Sequence, residues 1–295
     1  MRFDAGGADY LGDGGFDRSA NLEIAVDRIL WDLHDFTLVR EISSGPTSST
    51  FLARRSACSE IYVIKYLFKE GFNNAESVDR VRADVEVLQS VTDSHLARVY
   101  HSYANSHGLM IMAEFVSGVS LRQILQGGRR LSDAASASVA VQCLRGVVAA
   151  HRVGVAHRKL QADSIVVDWN GDAKLVGCAL RGNALPEWGR ATVPQPFDDT
   201  ESAISVVLEC LTGRPYQAQH PSDADYQLDG SLVSLLSGGM SRAACGRPLR
   251  ASEMTSIIAL WAYSEIGKGW EEQGRRELGR AAESVETSTA ASLQT

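Results

Sequence analysis

The chain has 295 residues and a mass of 31.9 kDa, with 44% hydrophobic and 22% charged residues, a globular composition long enough for one large domain or two modest ones. A net charge of −7 and a pI near 5.5 exclude the broad basic field that holds phosphate backbones, so nucleic acid is not an expected partner. The longest apolar stretches fall short of a membrane-spanning helix. Five cysteines, Cys58, Cys143, Cys178, Cys210 and Cys245, are odd in number and lack a CxxC pair, which argues against a disulfide framework or zinc site and points to a reducing, cytoplasmic location.

Residues 1–20 are rich in Gly and Asp and have neither a basic start nor an apolar core, so they read as a flexible tail and not as a signal peptide. Residues 21–34 carry Leu22, Ile24, Ala25, Ile29, Leu30 and Leu33 at helix-like spacing, an apolar face that either docks on the chain's own small lobe or recruits another protein, with Trp31 among them as a candidate contact residue. From 35 to 116 the runs FTLVREI, TFLARR and IYVIKYLF alternate around Ser, Gly and Pro, which predicts three antiparallel strands. Val78, Val81, Val85 and Leu88 then mark a helix, and ARVYHSY and GLMIMAEFV return to strand character. Residues 117–262 are dominated by helices, one marked by Val139, Cys143, Val147 and His151 and a buried one over 204–211. The final stretch, 263–295, reads as a charged, polar helix over 267–280 fading into a Ser/Thr/Ala-rich tail, where Thr287 and Thr289 are candidate phosphate acceptors. The expected fold class is α+β with two lobes: a small five-stranded lobe with one helix, then a larger helical lobe.

Local sequences make that order specific. AHRVGVAHRKLQADSIVVDWNGDAKLVGCAL resembles the catalytic loop and magnesium loop of a bacterial serine/threonine protein kinase. ESAISVVLECLTGRPY resembles the buried helix after the activation segment, MAEFVSGVSLRQIL the hinge, and YVIKYL the strand bearing the ATP-contacting lysine. The resemblance covers roughly residues 35–262, and four ordered motifs at consistent spacing carry it.

Against that family the chemical residues are altered one by one. The catalytic aspartate that accepts the substrate hydroxyl proton is replaced by Lys159 in His157-Arg158-Lys159, and a protonated lysine cannot act as that base. Gln161 stands where a lysine usually meets the γ-phosphate, Ser164 where an asparagine binds metal, and Gly177 where the Asp-Phe-Gly aspartate binds magnesium. The phosphate-cradling turn reads Ser43-Ser44-Gly45-Pro46-Thr47-Ser48 and keeps only its middle glycine; proline removes a donor and the serines restrict φ. Val63 replaces the alanine over the adenine, Ala113 stands at the gatekeeper position with Met112 or Met110 as candidates to fill the space behind it, and Glu114 and Val116 lie on the hinge. Lys65 is retained, with Asp84 at its partner's position; it is either a strut between strand and helix or a residual nucleotide ligand.

By resemblance, His157, Arg158 and Asp199 belong to the scaffold that braces the loop, and Arg247 matches an arginine whose usual partner is the glutamate of an Ala-Pro-Glu motif absent here. Asp168 and Asp172, flanking Trp169-Asn170-Gly171, read as a turn and not as a metal pair. The segment 180–198 is short for a peptide-binding platform, with Trp188 as a candidate anchor for a partner. These losses imply a pseudokinase: a regulatory or scaffolding module that binds another protein, such as a kinase, a phosphothreonine reader or a member of a biosynthetic or envelope complex. A weaker resemblance, through PQPFDDTESAIS, is to the cytosolic pseudokinase domain of the actinobacterial lipid II flippase. The alternative is an atypical nucleotide-binding protein or kinase-like transferase that uses ATP through Lys65. No metal is expected in either case, and any ATP would bind without one.

Overall fold

The structure, a computed structural model, describes residues 35–45, 47–58, 60–68, 75–105, 108–158, 160–178, 196–215, 231–244, 246 and 248–292. The first lobe is built on strands β1 (Phe36–Ser44), β2 (Ser48–Arg55), β3 (Ile61–Phe68), β4 (Val99–Asn105) and β5 (Gly108–Glu114), paired antiparallel in the order β1-β2-β3-β5-β4. Their β-branched and aromatic residues suit a pleated surface, and the side-chain period of two assigns alternate residues to opposite faces. One face takes Leu67, Leu109 and Ile111 onto helix α1 (Ala75–Leu88), whose Val81, Val85 and Leu88 recur every three to four residues. On the other face lie Phe51, Ala53, Ile64, Tyr66 and Met110. Met110 therefore does not fill space behind Ala113, contrary to the sequence expectation. Met112, two residues along the same strand, shares that outer side by the same alternation.

Beyond Glu114 the chain passes Gly118, at φ +151°, where a Cβ would overlap the carbonyl oxygen of Val167. Strand β6 (Val119–Ser120) then pairs with β7 (Ile165–Val167), which pairs with β8 (Ala173–Leu175). The short helix α2 (Leu121–Ile124) starts on a reciprocal cap: Ser120 Oγ accepts from the Gln123 N–H while the Gln123 side chain accepts from the Ser120 N–H. Helix α3 (Asp133–Arg152) is the axis of the second lobe and is buried along most of its length, including Ala137, Val139, Ala140 and Val147. Around it pack α4 (Pro196–Thr212), α6 (Ala251–Glu265) and α7 (Trp270–Ser292), with α5 (Ser231–Ala244) against α4. Cys143 on α3 and Cys210 on α4 are free thiols. Burial pushes Cys143 up to about 12 and raises Cys210 likewise, so both are inert core residues.

The C-terminal stretch is helical as expected over 270–280, but the helix is longer than expected and one side of it is buried. Helix α7 continues through Ser292, and Trp270, Leu278 and Ala282 are buried against the second lobe. Thr287 accordingly lies on a helical turn, its hydroxyl donating to the Glu283 carbonyl at 3.0 Å. Among the described residues no helix is long and apolar enough to cross a membrane.

Candidate functional site

The loop between α3 and β7 is held from below by one carboxylate. Asp199, in the first turn of α4, is buried and accepts the backbone N–H of His157 through Oδ2 at 2.7 Å and that of Arg158 through Oδ1 at 2.8 Å. His151 Nε2, near the end of α3, sits 2.8 Å from the same Oδ2. The His157 ring reaches the other way, with Nε2 3.0 Å from the Val176 carbonyl. A carbonyl only accepts, so Nε2 carries the proton. Val176 in turn donates its N–H to the Ser164 carbonyl at 2.8 Å, which closes a ring of bonds joining the loop, the 3-10 turn Ala162–Ser164 and the residues after β8.

Arg158 follows with φ +72°, the only positive φ on a non-glycine residue among those described. Its guanidinium pairs with Asp84 on α1. Asp84 thus faces an arginine of the second lobe, a pairing between residues 74 apart in sequence that local spacing does not reveal. Burial raises the Asp84 carboxyl above its ordinary value, and the Arg158 charge opposes that shift. Lys65 lies on β3 opposite Ile111 of β5, on the same side of the strand as Val63 and Leu67.

The two residues that the resemblance places at metal-binding positions, Ser164 and Gly177, come close together, and neither supplies a carboxylate or an amide side chain. Ser164 is buried at the end of the 3-10 turn, and Gly177, one residue past the Val176–Ser164 bond, has φ +82°. Among the described residues no group of three or more His, Cys, Asp or Glu is placed to hold a metal. Asp163 points outward to Arg122, at 3.4 Å, and Gln161 is exposed. Asp168 accepts the N–H groups of Asn170 and Asp172 at 2.8 and 2.9 Å, and Asp172 pairs with Arg275 of α7 at 3.3 Å, so both carboxylates serve the β7–β8 turn and its contact with α7. At the turn that the resemblance likens to a phosphate cradle, β1 and β2 stay paired up to Ser44 and Ser49, whose hydroxyls are 2.9 Å apart, and Gly45 donates its N–H to the Ser48 carbonyl at 3.0 Å. That hairpin is closed on itself.

At the hinge, Val63 faces Ala113 across the β3–β5 ladder. The Glu114 carboxylate is engaged on both oxygens, by Lys174 Nζ at 2.6 Å and by the Arg98 N–H at 2.9 Å, and Val116 is half-buried beside it. Lys174, Arg98 and His151 are site residues that sequence reasoning missed. Only His151 left a trace, as an apparent member of the apolar stripe of α3. Lys159, Arg247, Trp31 and Trp188 lie outside the described residues.

The Asp84 shift has a measurable consequence. An acid whose folded pKa is raised binds more protons folded than unfolded, so its contribution to stability falls as pH rises from the unfolded value and levels off above the folded one. Removing the opposing charge in Arg158→Ala should raise the Asp84 value further and steepen that fall. Urea denaturation at mildly acidic and neutral pH is expected to show a larger loss toward neutrality in the variant than in the parent; an equal loss would contradict the pairing.

Comparison with known proteins follows the same outline. Residues 36–180 match the model for the protein kinase domain. A probable serine/threonine-protein kinase of Dictyostelium discoideum is 25% identical over 242 residues, covering 79% of this chain and 17% of that protein. The serine/threonine-protein kinase ppk18 of Schizosaccharomyces pombe is 26% identical over 149 residues, covering 50% of this chain and 11% of its own. The chain thus spans less than a fifth of the length of these two relatives. Among solved structures, the PknI kinase domain of Mycobacterium tuberculosis superposes with a TM-score of 0.64 at 17% identity, covering 77% of this chain and 96% of that one. The two lobes, the antiparallel five-stranded sheet and the matched motifs make this chain a kinase-like domain, with serine/threonine kinases among its relatives.

Proposed function

We propose that the domain is a pseudokinase that acts by binding another protein instead of transferring phosphate. The observation that carries this reading is the pairing of Ser164 with the Val176–Gly177 corner: the loop architecture is kept by Asp199 and His157, yet both positions that would ligate magnesium lack a carboxylate or amide. Loss of a general base typically slows a reaction by about 10²–10⁴-fold, and here Lys159 replaces that base as well. Partner classes that suit the reading are an active kinase, a phosphothreonine reader or a member of a biosynthetic or envelope complex, with Trp188 as an anchor.

Purified protein is expected to transfer no radiolabelled phosphate from ATP to itself or to a generic acceptor. Transfer that Lys65→Ala abolishes would overturn the proposal. A second reading, metal-independent nucleotide binding, is favoured by the retention of Lys65 on the same side of β3 as Val63. Thermal shift separates the two, because a ligand of the folded state raises its melting temperature by mass action: ATP is expected to produce the same shift, or none, with and without Mg²⁺, and a strict magnesium requirement would contradict both readings.

A further inference from the structure

Arg145, Val148 and Arg152 recur at spacings of three and four on α3 and so share one face of it. They line a cleft of about 370 Å³ whose other walls are the turn at Asp93–His95 and, at the start of α6, Ser252 and Thr255. Several of its donors are uncommitted. The side chains of Arg152, Ser94 and Ser252 have no hydrogen-bond or ion-pair partner among the described residues. Arg145 has one long contact, to Glu271 at 3.3 Å, with both side chains about half exposed, a pairing of the kind that contributes little and is readily exchanged. Asp93 is the only acid lining the cleft, and its Oδ1 already accepts the His95 N–H at 2.8 Å. The two arginines stand two helical turns apart, about 10.5 Å, which lets their long side chains meet over Val148. A smaller recess of about 110 Å³ adjoins the cleft, shares His95 and Arg145 with it, and reaches Gln142 and Trp270. The His95 ring between them is fixed by its Nδ1–H, which donates to the Ala173 carbonyl at 3.0 Å. From Ser138 in the smaller recess to Arg152 in the larger, the groove follows α3 for about 21 Å.

We propose that this groove binds a phosphorylated peptide segment of a partner protein, with the phosphate seated between Arg145 and Arg152. A phosphate monoester brings about −1.5 to −2 charges and three strong acceptor oxygens, which suit two guanidinium forks together with the hydroxyls of Ser94 and Ser252. A carboxylate offers only two oxygens and would leave part of that donor set unmet. Asp93 opposes the anion, but the two arginines outnumber it. The length of the groove argues for a peptide over free phosphate, because about 21 Å accommodates about six residues of extended chain. This gives the protein-binding reading a partner chemistry and rests on that reading for the source of the phosphate. The two fail separately: radiolabel transfer by the purified protein would overturn the pseudokinase and leave the groove standing, whereas the binding measurements below concern the groove alone.

The probes are a fluorescent pool of short mixed-sequence peptides with a central phosphothreonine, the same pool unphosphorylated, and inorganic phosphate as competitor, each titrated against the full chain by anisotropy. The phosphorylated pool is expected to bind about tenfold or more tighter than its counterpart, and Arg145→Ala and Arg152→Ala are each expected to weaken it by about tenfold. Both arginines are exposed, so neither replacement threatens the fold. Arg82→Ala removes the same charge from α1, in the first lobe, and should change nothing. A phenylglyoxal footprint read by peptide mass places the ligand directly: the phosphorylated pool should shield Arg145 and Arg152 and leave Arg82 reactive. Equal affinity for the two pools, no binding of either, an equal loss in Arg82→Ala, or no shielding would overturn the proposal. Inorganic phosphate that competes as well as the phosphorylated pool binds would overturn the peptide assignment, because the rest of the groove would then add nothing.

Discussion

Replacing Asp199 by alanine is expected to cost about 3–5 kcal/mol of folding stability, the range found when one partner of a buried charged network is removed. The carboxylate is nearly inaccessible, and its two oxygens accept the N–H groups of His157 and Arg158 and contact His151 Nε2. Alanine leaves two backbone donors and one ring nitrogen without their acceptor in a site with little access for water, and each unsatisfied group costs about 1–3 kcal/mol. Asparagine should be less damaging. Its amide oxygen can satisfy one N–H while its NH₂ confronts the other donor. Urea denaturation monitored by far-UV circular dichroism measures both, and a change below about 1 kcal/mol in Asp199→Ala would show that the loop is held by other contacts. Because His157 and Arg158 depend on this anchor, the same variant should weaken the Arg158–Asp84 pair that joins the loop to α1.

What the sequence made legible divides along the range of the interactions. Strands β1 to β5 and helices α1, α3 and α4 follow from local periodicity, and the positions of Ser164, Gly177 and Asp199 follow from motif spacing. Pairings between distant segments did not show: Asp84 with Arg158, Glu114 with Lys174, and Asp199 with His151. Each joins residues that have ordinary alternative explanations nearby, such as Lys65 for Asp84. The burial of helix α7 was hidden for a different reason. Its buried side is made of Trp270, Gly274, Leu278, Gly279 and Ala282, and glycines that allow contact by lacking a side chain do not register as an apolar stripe. The charged residues between them dominate the pattern and suggest a solvated helix.

That close packing of α7 on the second lobe supports the other large prediction. Gly171 turns the β7–β8 hairpin at φ +77°, and a Cβ there would overlap the carbonyl oxygen of Arg275 on α7. From the opposite side, Gly279 of α7 would place a Cβ 2.5 Å from the Trp169 carbonyl oxygen. The two backbones approach each other with no room for a methyl group, and neither obstacle is the movable end of a side chain. Gly171→Ala should therefore lower stability by about 2–4 kcal/mol, combining left-handed backbone strain with overpacking. Gly154→Ala provides the control, since Gly154 has φ +79° but nothing within 4 Å of its Cβ position; its loss should stay near 1 kcal/mol. Gly279→Ala lies within a helix and carries no such strain, so its loss reports the close approach alone. Hydrogen exchange localises the effect: in Gly171→Ala and Gly279→Ala the amides of 270–285 should lose protection along with those of β7 and β8, while in Gly154→Ala they should not. If Gly171→Ala costs no more than Gly154→Ala, α7 is not clamped to the hairpin, and the last helix is an appendage of the second lobe and not one of its walls.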